Sequence, residues 1–323
     1  MNSTDTAVNG PIRDGADVVP PELDQAREFA RRSKAESTLR GYRADWKSSA
    51  PGPTYAAREL PGTPESVSAY IAECAGGLKV RSIQRRLNAI SEAHKAFGTD
   101  SPTSAGIVRA ALKGIRRTLL VSPVQKTPVP TDDIRAMMDS SDAGMIGLRD
   151  RALVLIGFAA AFRRSELVGL AVEDCAFSKD GLTITLRRSK TDPEGQGRRI
   201  GIPYGSNPET CLMRVLQAWI ELAGVGAGAL FRSINRHGHV QPGLLAPIDV
   251  ARVVKKLALR AGLDPAKYAG HSLRAGHATS AAIAGASDRS IMNQTGHRSV
   301  QMVRRYIREG SLFRENGAGK LGL

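Results

Sequence analysis

Cysteine is scarce in this sequence: three residues in 323. Cys74, Cys175 and Cys211 form an odd, widely spaced set. Such a set makes no disulfide framework and fits a reducing compartment. Long apolar runs are also missing. The longest candidate, residues 152–162, falls short of the ~18–20 residues of a membrane span. No basic-then-apolar signal pattern opens the chain. The expectation is a cytoplasmic protein, nucleoid-associated if bacterial, with no membrane partner. There is no glycine-rich phosphate loop. Acidic residues are the minority, 31 against 46 lysines and arginines, for a formal charge of +15 and a pI near 10.2. A protein this basic points to a polyanion, with nucleic acid the first candidate over a merely soluble surface.

A hydrophobic fraction of 41% is enough for real cores, and the length suits two domains of ordinary size. Residues 1–20 read as a disordered, mildly acidic tail. Residues 21–119 read as helical. Pro21-Glu22-Leu23 opens a first helix. A second starts at Ser37 or Thr38, with Leu39, Tyr42 and Trp46 on one stripe. Thr63-Pro64-Glu65 offers an N-cap, a first-turn proline and an acid matched to the helix dipole. The spacing of Val80, Ile83, Leu87 and Ile90 predicts a long helix over 79–97. A last helix spans about 104–119. Two basic groups stand out here: Lys79, Arg81, Arg85 and Arg86, then Lys113, Arg116 and Arg117. Either could grip phosphates, each contact adding to salt dependence, or be a solvated helix face.

Three prolines in residues 120–130 exclude a helix and mark a linker. Residues 131–309 then form the second domain, and 310–323 a tail that is glycine-rich apart from Leu312 and Phe313. Residues 148–162 predict a buried helix that ends in Arg163, Arg164 and Glu166, where unpaired buried charge would be costly. Alternation over 182–186 predicts a strand, 189–195 a turn and 199–203 the return strand. Residues 208–223 predict a helix. Residues 232–243 read as a flexible loop, and its His237 and His239 lack the acids or cysteines of a metal site. Residues 247–261 predict a basic helix whose Arg252, Lys255 and Lys256 suit a DNA groove or its phosphates.

The densest chemistry lies in residues 270–307: His271 and Arg274, Gly296 and His297, then Tyr306. An arginine fork matches non-bridging phosphate oxygens. Histidine moves protons near neutrality, and a phenol can be a covalent nucleophile. Ser287 to Gly296 also looks like the second helix and turn of a helix-turn-helix.

This segment resembles the catalytic heart of the tyrosine recombinases, the family of phage integrases and Cre-like enzymes. The likeness rests on His-x-Leu-Arg at 271–274, Ala278-Thr279, Gly296-His297 and a tyrosine nine residues after that histidine. Ala161-Phe162-Arg163-Arg164-Ser165-Glu166-Leu167 resembles the family's first arginine motif, with Ala161 in place of the usual glycine and Phe162 in place of leucine. The resemblance implies a mainly helical fold with a small antiparallel β-sheet in the catalytic domain, residues 131–309, behind a helical core DNA-binding domain, residues 21–119. It implies the catalytic set Arg163, Lys190, His271, Arg274, His297 and Tyr306, with Glu166 in support. Arg187 and Arg188 compete with Lys190 for the hairpin position. The implied reaction is site-specific recombination through a 3′-phosphotyrosyl intermediate, without metal or other cofactor. The implied partners are double-stranded DNA bearing a recombination site and a homotetramer on two duplexes, with accessory DNA-bending proteins left open. A type IB topoisomerase-like or telomere-resolving enzyme would use the same chemistry. A non-catalytic helix-turn-helix regulator is the distant alternative.

Overall fold

The computed structural model describes residues 34–47, 60–119, 126–187, 189, 192, 195–208 and 210–310, with positions 29 and 321. The tail at 1–20, the helix start at Pro21, residues 120–125 of the linker, Arg188, Lys190, Leu312 and Phe313 lie outside the described residues. The chain divides into two compact units, Met1–Pro123 and Val124–Leu323.

In the first unit the helices are α1 (Glu36–Lys47), α2 (Pro64–Ala75), α3 (Val80–Phe97) and α4 (Gly106–Leu119), with a 3₁₀ turn at Pro102–Ser104. The start of α2 is fixed by its own side chains. The Ser66 N–H donates to Thr63 Oγ1 and the Thr63 N–H to Ser66 Oγ, both at 3.2 Å, so two orphan donors are satisfied reciprocally. Val67, Tyr70 and Ile71 of α2 meet Ile83, Leu87 and Ile90 of α3 and Val108 and Leu112 of α4 in one core. Each fully buried aliphatic chain there contributes about 1.5–3 kcal/mol.

The second unit carries α5 (Thr131–Asp139), α6 (Gly144–Ala159), α7 (Arg164–Val168), β1 (Cys175–Ser178), β2 (Gly181–Leu186), β3 (Arg198–Pro203), α8 (Leu212–Leu222), β4 (Arg232–Ile234), β5 (Val240–Leu244), α9 (Pro247–Arg260), α10 (Gly270–Ile283), α11 (Asp288–Thr295) and α12 (Val300–Gly310). The fold is mainly helical, with small antiparallel sheets. β1, β2 and β3 pair antiparallel in that order, Thr183 facing Gly201 and Leu186 facing Arg198. Alternation turns Leu182, Ile184, Ile200 and Ile202 into the core beside α6, α8 and α9. A Cβ on Gly157 of α6 would come within 2.8 Å of Leu273 on α10, so this glycine permits the close approach of the two helices.

Three expectations change. Residues 232–243 are not a loop: β4 pairs with β5, and the turn is held by Asn235 Oδ1, which accepts from the N–H groups of His237 and His239 at 2.9 and 3.0 Å. A three-residue strand is too short to show alternation, which is why the sequence reads as a loop. α6 begins four residues before 148 and stops at Ala159 rather than 162. It stops because Ala161 takes a left-handed backbone, φ +52°, which no helix continues through. The sequence also gives no sign of β1.

α6 carries two charges into the core. Arg149 donates to Asp150 Oδ1 through Nε at 2.9 Å and Nη2 at 2.6 Å. Lys256 of α9 lies 2.5 Å from Asp150 Oδ2 and 3.3 Å from Asp142 Oδ2, and Arg260 pairs with Asp142 as well. Two carboxylates thus tie three cations across α6 and α9.

Candidate active site

The site is assembled from three places in the second unit: the turn between α6 and α7, the strand β3, and the run from α10 to α12. Arg163 stands just before α7. Its backbone N–H donates to Glu166 Oε2 at 2.8 Å, and its Nη1 donates to Glu166 Oε1 at 2.5 Å. Glu166 is buried and grips Arg163 at both ends, so the guanidinium is aimed by a side chain three residues on. Arg164 packs its alkyl stem across Gly270, where a Cβ would lie 2.5 Å from Cδ.

Arg274, in the first turns of α10, is 1% exposed. It has no carboxylate partner among its hydrogen bonds. Nη1 donates to the Ala161 carbonyl at 2.7 Å and Nη2 to His297 Nε2 at 3.2 Å. The left-handed turn at Ala161 is what points that carbonyl at the guanidinium. Burial first, then the charge of Arg163, pull the Arg274 pKa down to about 10; it remains a cation at neutral pH.

His271 lies one helical turn before Arg274, with Nε2 3.2 Å from the Tyr306 hydroxyl. Shielding of part of the ring, followed by the charges of Arg274, Arg163 and Arg164, holds its pKa below the ordinary value. The neutral form therefore prevails, and a proton-free Nε2 can accept the phenolic hydrogen. Tyr306 sits on α12, whose Val303 packs with Ala278 and Ile291 in a small core of its own. The Tyr306 and His297 rings stand 6.0 Å apart between centroids. His297 follows Gly296, which closes α11 with φ +65°. Its pKa falls to about 4 through burial first, then the charges of Arg274 and Arg163.

The structure thus brings Arg163, Glu166, His271, Arg274, His297 and Tyr306 together. Lys190 lies outside the described residues. The hairpin beside it is closed by a bridge between Ser189 and Asp192, and Asp192 accepts from the N–H groups of Gln196 and Gly197 at 3.1 and 2.7 Å. Arg187 pairs with Asp174 at 2.7 Å.

Two residues at the site escape the sequence reading. Arg198 on β3 donates from Nη1 to the carbonyls of Asn293 and Gln294, at 3.0 and 2.9 Å. It ties the hairpin to the end of α11, and a Cβ at Gly296 would press to 2.9 Å from its Cζ. Burial lowers its pKa, with Glu166 opposing that shift and Arg163 adding to it. The signal was available: on a strand, Arg198 is in phase with the buried Ile200 and Ile202. Thr295 is fully buried, one turn from Ile291, and touches His297. His277, by contrast, is a core histidine packed edge-on to Phe158 and held near a pKa of 4 by burial.

The basic residues named from the sequence divide. On α3, Arg85 forms a two-pronged pair with Asp45 at 2.5 and 2.7 Å. Arg86 donates to the Tyr70 hydroxyl at 3.0 Å, and Arg116 of α4 to Gln84 Oε1 at 2.7 Å. Lys79, Arg81, Lys113 and Arg117 are exposed. On α9, Arg252 pairs with Asp249 at 2.7 Å, Lys256 belongs to the α6 network, and Lys255 is exposed.

The sequence model described as the phage integrase family matches residues 129–311. An integrase/recombinase, a homolog of XerD from Selenomonas ruminantium, is 39% identical over 302 residues, covering 92% of this chain and 89% of its own. The Cre recombinase of Escherichia phage P1 is 26% identical, covering 80% of this chain and 79% of its own. Among solved structures, the integrase of transposon Tn1549 in complex with transposon right end DNA superposes with a TM-score of 0.62 at 15% identity, covering 94% of this chain and 99% of that one; this likeness shows the fold.

Proposed function

This chain belongs to the phage integrase family and is a tyrosine-type site-specific DNA recombinase, and from that premise we propose that Tyr306 is its nucleophile. The observation that carries the assignment is the 3.2 Å contact between the Tyr306 hydroxyl and His271 Nε2, beside two arginines poised for an anion.

In the proposed step the Tyr306 oxygen attacks the scissile phosphorus. A phosphorus–Tyr306 oxygen bond forms, the bond to the 5′-oxygen breaks, and the 3′-phosphotyrosyl strand is left with a free 5′-hydroxyl. His271 takes the phenolic proton. Lys190 gives a proton to the departing 5′-oxygen. Arg163 and Arg274 neutralise the non-bridging oxygens as charge builds on the phosphorane, which is where fixed donors are worth most. Glu166 aims Arg163 and takes no proton. His297 adds a hydrogen bond to the same oxygens. The phosphotyrosyl bond keeps the energy of the bond it replaced, so a 5′-hydroxyl from a partner strand can run the step backwards. No part of the scheme calls on a metal or a nucleotide.

The substrate in this reading is double-stranded DNA with a recombination site, worked on by four copies of the chain over two duplexes, in the cytoplasm on nucleoid DNA. Residues 21–119 supply a second grip on that DNA, joined through residues 120–130 to the catalytic residues 131–309. Among the described residues, the exposed Lys79, Arg81, Lys113 and Arg117 would meet phosphates there, and the exposed Lys255 would do so on α9.

The test is an SDS-resistant adduct assay on a nicked suicide duplex. Wild type should form a protein–DNA adduct and Tyr306→Phe should form none while binding DNA as tightly. An adduct that persists in Tyr306→Phe refutes the assignment.

A further inference from the structure

We infer that Thr295 is a positioning residue that fixes which nitrogen of His297 carries the proton, making His297 an acceptor toward Arg274 in the empty site and a donor once a phosphodiester is bound. The second half rests on the reading of His297 as a phosphate-facing group; the first half stands on geometry alone.

Four groups form one chain of hydrogen bonds. Thr295 Oγ1 lies 2.7 Å from the Ile291 carbonyl oxygen and 2.7 Å from His297 Nδ1. His297 Nε2 lies 3.2 Å from Arg274 Nη2. A carbonyl oxygen can only accept, so the single hydroxyl hydrogen of Thr295 goes to Ile291. With that hydrogen committed, Oγ1 can only accept from His297, so Nδ1 carries the ring proton. A guanidinium can only donate, so Nε2 must be the bare nitrogen. The polarity is therefore set independently at both ends of the chain and agrees in the middle. Thr295 is 0% exposed, so its hydroxyl is shielded from bulk solvent.

Consequences follow for the reaction. In the empty site His297 cannot donate to anything through Nε2, because that nitrogen holds a lone pair aimed at Arg274. The groups facing the ring oppose a second proton: Arg274 and His271 from α10, Arg163 from the turn before α7, and Arg198 from β3, with the Tyr306 ring of α12 alongside. A phosphodiester brings negative charge into that ring of cations. It takes over the Arg274 donor, and the bare Nε2 then faces an anionic oxygen, a repulsive contact until it binds a proton from solvent. The resulting imidazolium keeps Nδ1–H on Thr295 and gives Nε2–H to the phosphate. Thr295 accepts from Nδ1 in both states, so the ring changes role without turning.

The deciding experiment is a long-range ¹H–¹⁵N correlation spectrum of the full chain labelled with ¹⁵N-histidine, at pH 7 and without DNA. The chain has six histidines, and the His297 signals are the ones lost in His297→Gln. The Nδ1–H tautomer is expected; the Nε2–H tautomer overturns the inference. This readout needs no cleavage, so it fails separately from the assignment of Tyr306. Activity supplies the second arm. In single-turnover cleavage of the nicked suicide duplex, Thr295→Ser should stay near the wild-type rate, whereas Thr295→Val should lose about 10–100-fold, the size of effect seen when a metal-binding histidine loses the partner that orients it. The pH profile separates positioning from packing. Without an acceptor for Nδ1–H the imidazolium is disfavoured, so the alkaline limb in Thr295→Val should move to lower pH. A uniform fall with the limb unmoved, or an equal loss in Thr295→Ser, overturns the proposal.

Discussion

Two clusters of charge lie in the second unit, and they are built on opposite plans. Along α6 and α9, Arg149, Lys256 and Arg260 share the carboxylates of Asp142 and Asp150. In the candidate active site Arg163, Arg198 and Arg274 face, among the described residues, the carboxylate of Glu166. Arg274 spends its hydrogen bonds on a backbone carbonyl and a neutral imidazole. The first cluster comes close to compensation, with three cations on two carboxylates. The second carries an excess of positive charge in a shielded place, which costs stability unless an anion arrives. Burial of charge alone does not distinguish structure from function; the ratio of cations to carboxylates does.

The contrast can be broken from either side. Removing a carboxylate from the compensated cluster should have the largest effect. Asp150→Ala leaves Arg149 and Lys256 without their buried partner and should cost about 3–5 kcal/mol of unfolding free energy. Denaturant titration measures it, and cleavage per folded molecule should hold. Arg274→Ala should do the reverse. It removes a proposed phosphate donor and should slow single-turnover cleavage by about 10²–10³-fold while DNA affinity changes far less. Equal losses in binding and cleavage would reduce Arg274 to a backbone contact.

Acidity gives a gentler probe. In the proposed step His271 accepts a proton in its neutral form, and burial with the nearby arginine charges holds its pKa below the ordinary histidine value of 6.5. Activity should therefore persist as pH falls past that ordinary value and decline only below it; an acid limb above it would contradict the shielding described. The smallest effect is expected at Ala161, whose φ of +52° suits glycine. The left-handed strain on an alanine is roughly 1–2 kcal/mol, and the extra freedom of glycine in the unfolded chain returns about 0.5–1 kcal/mol of that. Ala161→Gly should raise the melting temperature by about 2–4 °C and leave cleavage intact.

Much of this was legible in the residues. The helices of the first unit follow from the spacing of Ile83, Leu87 and Ile90 and the cap at Thr63. The proposed catalytic set follows from motif order, because the family likeness joins residues that the chain keeps more than a hundred positions apart. What the sequence hides is partnership. Arg85, Arg252 and Lys256 look like unpaired basic residues until Asp45, Asp249 and Asp150 are found beside them, two of the three far away in sequence. Arg198 was hidden by its neighbour Arg199, since only strand phase tells the inward arginine from the outward one. Thr295 was hidden because a threonine in a helix has no signature until its hydroxyl meets something. Lengths failed where backbone sign changed, as at Ala161.

The helix that carries Tyr306 is held by a small satellite core in which Ala278, Ile291 and Val303 are the buried members. The body of the unit rests on dozens of larger side chains, Trp219 and Phe231 among them. Docking free energy scales with the apolar area covered, so α12 is the cheaper of the two to release. The proposed nucleophile is thus mounted on the helix held by the smaller core. Its presentation can be gained or lost as a local equilibrium while the arginines stay in place, and a strand can be held without being cut.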